Sequence, residues 1–287
     1  MRPIPIDFHI GPLTVHTYGI GLAVTFLFGA WYFARRLRQH GLPAEWLSDV
    51  VAGIVVGALV GARLVHVASH LSFYAGHPAE VVMVWHGGLS SFGGLAGGLI
   101  VGILRARKRR PVGVSLVWLL DLIAPVLACS WAIGRLLGPQ LMVAGGGHPT
   151  TAWYGLSYAG QVGKRIPVPL FQAALDFAIF GVVLVVERRW HRRPLGAIFA
   201  LWLALWGMAR FAEEFFWLAT PPVWDAVEVF SLALSLSAWS ALVVLWRKAK
   251  DLPPWKDNPA HLANSLPGSR KDGDDVDDDQ TMARPAG

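Results

Sequence analysis

The chain contains 287 residues, of which 54% are hydrophobic and only 15% are charged. A soluble domain normally carries about a quarter charged residues, so this composition excludes an ordinary soluble enzyme and indicates a protein surrounded by lipid. The net charge is +6, but most lysines and arginines lie in short clusters between apolar runs. That distribution is typical of cytoplasmic loops rather than of a nucleic-acid-binding surface, so we expect no nucleic-acid partner.

Apolar runs that approach the roughly 20 residues needed to cross a bilayer occur seven times along the chain. They are Thr17–Ala34, Val50–Ala68, Leu89–Leu104, Val114–Leu136, Leu170–Val186, Leu195–Phe216 and Val227–Leu245. The third run is short and rich in glycine. The pattern predicts an all-α integral membrane protein with seven transmembrane helices.

Basic clusters follow the odd-numbered runs and set the expected orientation. Their members are Arg35, Arg36, Arg38, Arg105, Arg107, Lys108, Arg109, Arg110, Arg188, Arg189, Arg192, Arg193, Arg247, Lys248 and Lys250. The loops after the second and sixth runs contain no lysine or arginine, and the loop 137–169 holds only Lys164 and Arg165. The positive-inside rule then predicts an N-terminus outside and a C-terminus in the cytoplasm of a bacterial inner-membrane protein.

The expected organisation is a membrane domain over residues 1–250, with a periplasmic loop at 137–169. Because Lys271–Gln280 is dominated by aspartate and lacks apolar periodicity, we expect residues 251–287 to form a disordered, acidic cytoplasmic tail. No removable signal peptide is predicted, since the first apolar run is too long and its basic cluster follows it. Cys129 is the only cysteine; it is expected to be a small buried hydrophobe without a disulfide partner.

Ionisable side chains inside spanning helices are costly and usually functional. The six that stand out are Arg63, Asp121, Arg135, Arg210, Glu213 and Glu214. Arg63, Arg135 and Arg210 each lie in the later half of a run that leads from cytoplasm to exterior, so the topology predicts three guanidinium groups in the outer half of the bilayer. Glu214 follows Arg210 by one helical turn on the same face, whereas Glu213 projects about 100° away and could pair elsewhere.

A shared depth for three arginines points to a phosphate ligand. The planar guanidinium forms bidentate, charge-assisted hydrogen bonds with phosphate, and an anionic lipid headgroup is the natural source. The alternative is that each arginine reaches the interface or pairs structurally with a carboxylate or carbonyl. The glycine-rich segment His86–Gly98 lies at the same face and could approach a ligand or simply pack closely against another helix. Tyr18 starts the first run and would ordinarily be an interfacial aromatic residue.

Several different short motifs follow one another along the chain. They are Ile10–Gly19 with Tyr18, Gly61-Ala-Arg-Leu64, Trp85-His-Gly-Gly-Leu-Ser90 with Gly93-Gly-Leu95, Asp121-Leu-Ile-Ala-Pro125, Gly134-Arg-Leu136 and Arg210-Phe-Ala-Glu-Glu-Phe-Phe216. Together they resemble the prolipoprotein diacylglyceryl transferase family, whose patterns include G-G-R-L, W-x-G-G-x-S-F-H-G-G-L and R-x-x-x-E-F-F. The resemblance covers nearly the whole membrane portion.

The resemblance implies a seven-helix inner-membrane enzyme without a cofactor or a metal. Its expected partners are phosphatidylglycerol and the signal peptide of a preprolipoprotein, whose lipobox cysteine thiol would receive the diacylglyceryl group as glycerol phosphate leaves. Arginines would stabilise the charge that develops on the departing phosphate. The expected catalytic residues are Arg135, Arg210 and Glu214, with Glu214 orienting Arg210. The expected substrate contacts are Tyr18, Arg63, Gly88, Ser90, Gly93 and Gly94.

The chain also departs from the family patterns. Phe92 stands where S-F-H-G-G has histidine, and Gly138 (or Pro139, with a slip of one residue) stands where an asparagine follows the fourth-helix arginine. The H-P-S-Q-L-Y-E pattern reads Ile-Pro-Val-Pro-Leu-Phe-Gln over residues 166–172, which removes its histidine, glutamine and glutamate. A thiol benefits from a base; His86 or His66 could serve, although a structural histidine at an interface is the simpler interpretation of either.

Three classes of function follow. The first is an active diacylglyceryl transferase. The second is a non-catalytic paralogue that binds anionic phospholipid or lipoprotein precursors, suggested by the changes at Phe92, Gly138 and Ile166. The third is intramembrane hydrolysis or metal chemistry, prompted by Ser90 and Ser91 near His86 and by the spacing of His66 and His70. No G-x-S-x-G or H-E-x-x-H motif accompanies these residues, so this class is the weakest.

Overall fold

A computed structural model describes residues 7–10, 13–83, 87–138, 146–158, 161–190, 193–217 and 226–249. Its helices are α1 (Thr17–Gln39), α2 (Trp46–Ser69), α3 (Leu71–Gly76), α4 (Ser91–Arg109), α5 (Leu116–Leu137), α6 (Val168–Arg189), α7 (Ala197–Trp217) and α8 (Ala226–Ala249), with a 3-10 turn at Pro78–Val81. The strands are β1 (Asp7–Ile10), β2 (Leu13–His16), β3 (Leu156–Ser157) and β4 (Lys164–Arg165). The predicted tail at 251–287 lies outside the described residues.

The long helices match the apolar runs of the sequence. Within the described ranges, every helix except α3 has between 19 and 24 residues. Four segments are long and apolar enough to cross a membrane, namely α2, α5, α6 and Val227–Arg247 of α8. The chain is therefore a helical protein of membrane character, as the composition indicates.

Two short antiparallel hairpins are additions to the predicted all-α fold. Strands β1 and β2 pair in register from Asp7 with His16 to Ile10 with Leu13, and β3 pairs with β4 inside the loop 137–169. Strands of two to four residues carry too little periodicity to be recognised in sequence, which explains why they were not predicted.

One core joins the amino-terminal part of α2 to α1 and α5. Leu37 of α1, Leu47 of α2 and Trp118 and Leu122 of α5 are buried together there. Cys129, in α5, is buried as well, as expected. This core includes only the first turns of α2. It therefore fixes the amino-terminal end of α2 to α1 and α5.

The rest of α2 packs closely against α4 through facing glycines. A Cβ atom added at Gly61 would collide with the carbonyl oxygen of Gly93, and one added at Gly97 would collide with the carbonyl of Gly57. Small residues allow two helix backbones to approach this closely. Close helix packing, one of the two interpretations of the glycine-rich segment, is therefore confirmed for these positions.

Helices α5, α6 and α7 share a second core, and α8 packs against α7. Ile179 and Val183 of α6 pack with Ile198 and Trp202 of α7. The start of α7 is also fixed by Asp121 of α5, whose carboxylate accepts hydrogen bonds from the backbone N–H groups of Gly196 (2.7 Å) and Phe199 (2.9 Å). First-turn amides have no partner within their own helix, so this intramembrane carboxylate has a structural task.

Candidate functional site

Arg210 and Glu214 form an ion pair on one face of α7. Nη2 of Arg210 lies 2.5 Å from Oε2 of Glu214, and both side chains are largely shielded, with exposed fractions of 18% and 9%. The sequence predicts this pairing from the one-turn spacing. The other terminal nitrogen of Arg210, Nη1, is buried and has no hydrogen-bond partner within the described part of the chain. The pair therefore fixes the guanidinium while leaving one donor available.

Arg135 of α5 lies in the same neighbourhood. Its guanidinium sits over the ring of Trp131 at 5.6 Å, and its electrostatic neighbours include Arg210, Asp176, Glu213 and Glu214. Two guanidinium groups repel each other, and nearby carboxylates are what makes their approach tolerable. We call Arg135, Asp176, Arg210, Glu213 and Glu214 the arginine–carboxylate cluster.

Helix α6 contributes residues that the sequence analysis did not single out. Asp176 is buried with 3% exposure, and Gln172, one turn earlier on the same helix, is fully buried. Asp176 interacts with Glu213, Arg135 and Arg210. Its position inside the predicted span Leu170–Val186 was the available signal, because a lone carboxylate in a spanning helix is expensive and usually functional. The list of intramembrane charges was incomplete on this point.

Carboxyl groups outnumber guanidinium groups in this cluster among the described residues. It contains two guanidiniums and three carboxylates, drawn from α5, α6 and α7. Burying an unbalanced set of charges is costly. Protonation of one carboxyl group removes this imbalance, and the two guanidiniums then attract an anionic oxygen.

Arg63 has a different environment from the other two arginines. It donates to the backbone carbonyls of Val81 (2.9 Å), Gly87 (2.5 Å), Gly88 (3.0 Å) and Met83 (3.2 Å) and also to the carbonyl of Glu80. Its guanidinium lies 5.3 Å from the ring centroid of Tyr74. The structure thus brings Arg135 and Arg210 together, whereas Arg63 fastens residues 80–83, 87 and 88 to the end of α2.

A cavity of about 540 Å³ lies beside Arg63. Its wall is formed by Arg63, His66, His70, Phe73, Tyr74, Glu80, Gly87 and Gly88. The rings of His66 and His70 stack at 4.3 Å. Gly88 has a φ of +74°, and a Cβ atom there would lie 2.6 Å from Nε2 of His66. Glycine is required at this position both by the backbone conformation and by the space.

The remaining predicted contacts lie at the start of α4 and of α1. The hydroxyl of Ser90 caps α4 by accepting from the N–H of Gly93 (3.4 Å), and the N–H of Ser90 donates to the carbonyl of Ala62 (3.0 Å). Gly93 is buried against α2, and a Cβ atom on Gly94 would make ordinary contacts with Ala58 and Ala62. The side chains of Tyr18, Ser91 and Phe92, and the whole of His86, lie outside the described residues.

The loop before α6 is attached to the end of α7 that carries the cluster. The N–H of His148 donates to the carbonyl of Phe216 (3.1 Å), and Nε2 of His148 lies 3.0 Å from the carbonyl of Phe215. A Cβ atom on Gly147 would collide with the carbonyl of Phe216. These bonds satisfy carbonyls at a helix end that have no partner within the helix. The loop and the cluster are therefore mechanically connected through one turn of α7.

Fold and site together define a helical membrane protein with a buried, charged site among three of its helices. A sequence profile described as prolipoprotein diacylglyceryl transferase matches residues 5–248. The chain belongs to this family.

Individual relatives agree with the family match. The chain is 34% identical over 217 residues to the phosphatidylglycerol–prolipoprotein diacylglyceryl transferase of Tolumonas auensis, an alignment that covers 74% of this chain and 82% of the relative. It is 32% identical over 250 residues to the protein of that name from Cupriavidus pinatubonensis, covering 84% and 87%. It is 31% identical over 265 residues to that from Aromatoleum aromaticum, covering 90% and 97%.

Proposed function

We propose that this protein transfers the diacylglyceryl group of phosphatidylglycerol to the lipobox cysteine of a preprolipoprotein. The thiol sulfur forms a bond with a glycerol carbon of the lipid, the bond from that carbon to the phosphate oxygen breaks, and glycerol phosphate departs. The observation that carries the proposal is the convergence of Arg135 and Arg210 from α5 and α7. The names of the relatives support the same reaction.

In this proposal the two arginines hold the lipid phosphate and stabilise its growing charge. A phosphodiester carries one negative charge, and the departing phosphomonoester gains a second. Donors already fixed in place stabilise such charge without having to reorganise during the reaction. Glu214 fixes Arg210 at 2.5 Å through one nitrogen, which leaves Nη1 as the donor that would meet a phosphate oxygen.

The remaining predicted contacts are proposed to form a wall for the lipid headgroup and the signal peptide. Arg63 would act by holding residues 80–83, 87 and 88 in place, since its guanidinium donates hydrogen bonds to their carbonyls. Gly88, Ser90, Gly93 and Gly94 would keep the start of α4 close to α2, and Tyr18 would contact the headgroup or the acceptor. Shape and positioning, rather than charge, would be the contribution of this wall.

We further propose that α1, α2 and α4 to α8 all cross the bacterial inner membrane, with the N-terminus outside and the C-terminus in the cytoplasm. Basic residues at the ends of α1, α4 and α6 support this orientation. Arg135 and Arg210 lie near the carboxyl ends of α5 and α7, so both would be close to the outer leaflet. That is the leaflet at which a secreted precursor presents its lipobox cysteine.

Expression in cells depleted of their own diacylglyceryl transferase tests the proposal. We expect the chain to restore growth and to place lipid on the cysteine of a reporter prolipoprotein, and we expect Arg210→Ala to abolish both. A well-expressed, membrane-inserted chain that leaves the reporter unmodified would contradict transfer. If such a chain also bound phosphatidylglycerol saturably and lost that binding in Arg210→Ala, the non-catalytic alternative would replace it.

A further inference from the structure

Gln172 of α6 and Glu213 of α7 face each other within the protein. Gln172 is fully buried and Glu213 is 9% exposed, and Gln172 is a near neighbour of the Glu213 carboxylate. Neither amide atom of Gln172 nor Oε1 of Glu213 has a fully formed hydrogen bond to another described residue. An unsatisfied polar atom in such a place is costly and calls for an explanation.

The two positions exchange a carboxylate relative to the family pattern. Gln172 stands at the last position of the pattern H-P-S-Q-L-Y-E, where the pattern has glutamate, and Glu213 stands at a position that R-x-x-x-E-F-F leaves open. The carboxylate missing from α6 is thus present on α7, at the same contact. In this chain the contact holds one acid and one amide, with the acid on α7.

We propose that Glu213 is the group that accepts the proton of the attacking thiol. This inference rests on the proposed transferase function. Of the three carboxylates in the arginine–carboxylate cluster, Glu214 is ion-paired with Arg210 at 2.5 Å and Asp176 is the most deeply buried, with 3% exposure. Glu213 is the most exposed of the three, and its Oε1 has no hydrogen bond to a described residue. Phe92, at the histidine position of the family pattern, has no atom that can take a proton.

The step balances with the groups already present. The S–H proton passes to the carboxylate of Glu213 as the sulfur forms its bond to the glycerol carbon. The carbon–oxygen bond to phosphate breaks, and its electron pair leaves on the glycerol phosphate oxygen. The protonated Glu213 then gives its proton to the departing phosphate, which restores the carboxylate. One group therefore acts first as a general base and then as a general acid.

Charged groups from all three helices of the cluster face Glu213 and would shape its titration. They are Arg135 from α5, Asp176 from α6, and Arg210 and Glu214 from α7 itself. A neutral substitution at Glu213 leaves these groups in place. A test must therefore separate proton transfer from a general disturbance of the cluster. The pH dependence of the activity does so, together with a variant in which the acid and the amide change places.

The experiment compares purified wild-type protein, Glu213→Gln, and the exchange variant Glu213→Gln with Gln172→Glu, using phosphatidylglycerol and a synthetic lipobox peptide. We expect Glu213→Gln to lower kcat/KM at pH 7 by about 10²-fold, a usual loss for a general base. Binding of phosphatidylglycerol should stay within about threefold of wild type, because both arginines remain. The deficit should shrink as the pH approaches the thiol pKa of about 8.5, since the thiol then ionises without help. The exchange variant should recover most of the lost activity.

The outcomes distinguish the inference from the function on which it rests. Asp49→Asn serves as the control, because Asp49 is a half-exposed carboxylate that pairs with Arg105 and Arg109; it should keep wild-type turnover. An inactive wild-type protein would overturn both the function and the inference. With an active wild type, the inference is overturned if Glu213→Gln keeps its activity, if its deficit is the same at every pH, or if the exchange variant is no better than Glu213→Gln.

Discussion

Nη2 of Arg210 lies 2.5 Å from Oε2 of Glu214, one turn further along α7, while the second terminal nitrogen of the same guanidinium has no partner within the described part of the chain. A guanidinium held on one side and free on the other is pre-organised to receive an anionic oxygen. The order Arg before Glu stabilises an isolated helix less than the reverse order, so helix stabilisation alone does not account for the pair.

Replacing the guanidinium tests its geometry apart from its charge. We expect Arg210→Lys to lower kcat at least about 10²-fold, the usual loss for one fixed donor at a developing oxyanion, because lysine cannot serve Glu214 and the phosphate with one planar fork. Steady-state turnover of phosphatidylglycerol measures this. Arg189→Lys, at the other end of the neighbouring α6, is the matched control. Equal activity of Arg210→Lys and wild type would show that only the charge matters.

Arg63 is expected to act on the stability of its surroundings. Its side chain donates to five carbonyls between Glu80 and Gly88, and removing the donor from several partly buried acceptors costs about 1–3 kcal/mol. We predict that Arg63→Ala lowers Tm in detergent and exposes the chain at residues 80–83 to protease, whereas Arg210→Ala leaves those residues protected. An unchanged cleavage pattern in Arg63→Ala would count against the role we give it.

The glycines between α2 and α4 provide a contrast with a glycine that has no neighbours. Gly97→Ala should lower the free energy of unfolding by about 1–3 kcal/mol, because its Cβ would press on the Gly57 carbonyl in a tightly packed interface. Gly181→Ala in α6 has open space around it and should raise helix stability by up to about 1 kcal/mol. Thermal unfolding of the two variants side by side measures the difference. The same shift in both would contradict the close approach of the two backbones.

The fold could be read from the sequence where hydrophobicity alone decides it. Seven apolar runs predict the long helices within a few residues, and the spacing of Arg210 and Glu214 predicts their pair. The partners of Arg63 could not be predicted, since five carbonyls of an irregular segment carry no side-chain signal. Asp176 joins the cluster, and Gln172 lies beside it, only because α6 packs against both α5 and α7. No spacing within one run reveals this tertiary relationship.

Tyr158, in the loop before α6, predicts a pH dependence of stability. Burial raises the pKa of its phenol above the ordinary value, so the folded state holds the proton more tightly than the unfolded chain does. The stability that the protonated phenol contributes is fully present below the pKa of the unfolded chain, about 10. It is lost as the pH rises through the pKa of the folded state. We expect Tyr158→Phe to remove that alkaline loss, measured as Tm between pH 8 and 11.

The same substitution has a second expected effect at neutral pH. The hydroxyl of Tyr158 is buried and has no hydrogen-bond partner in the described ranges, so Tyr158→Phe should be neutral or stabilising by up to about 1 kcal/mol. Tyr154→Phe is the control, because Tyr154 lies in the same loop and is exposed. A Tyr158→Phe protein that keeps the wild-type alkaline profile would show that another group causes it.

Arg135 and Arg210 are proposed to bind together the phosphate of a lipid whose diacylglyceryl group moves to a thiol. The most direct measurement incubates purified protein with phosphatidylglycerol and a lipobox peptide, then quantifies the lipidated peptide and free glycerol phosphate. We predict a thioether-linked peptide and an equal amount of glycerol phosphate from wild type, and neither from Arg135→Ala or Arg210→Ala. Transfer that continued at the wild-type rate in both variants would contradict the account.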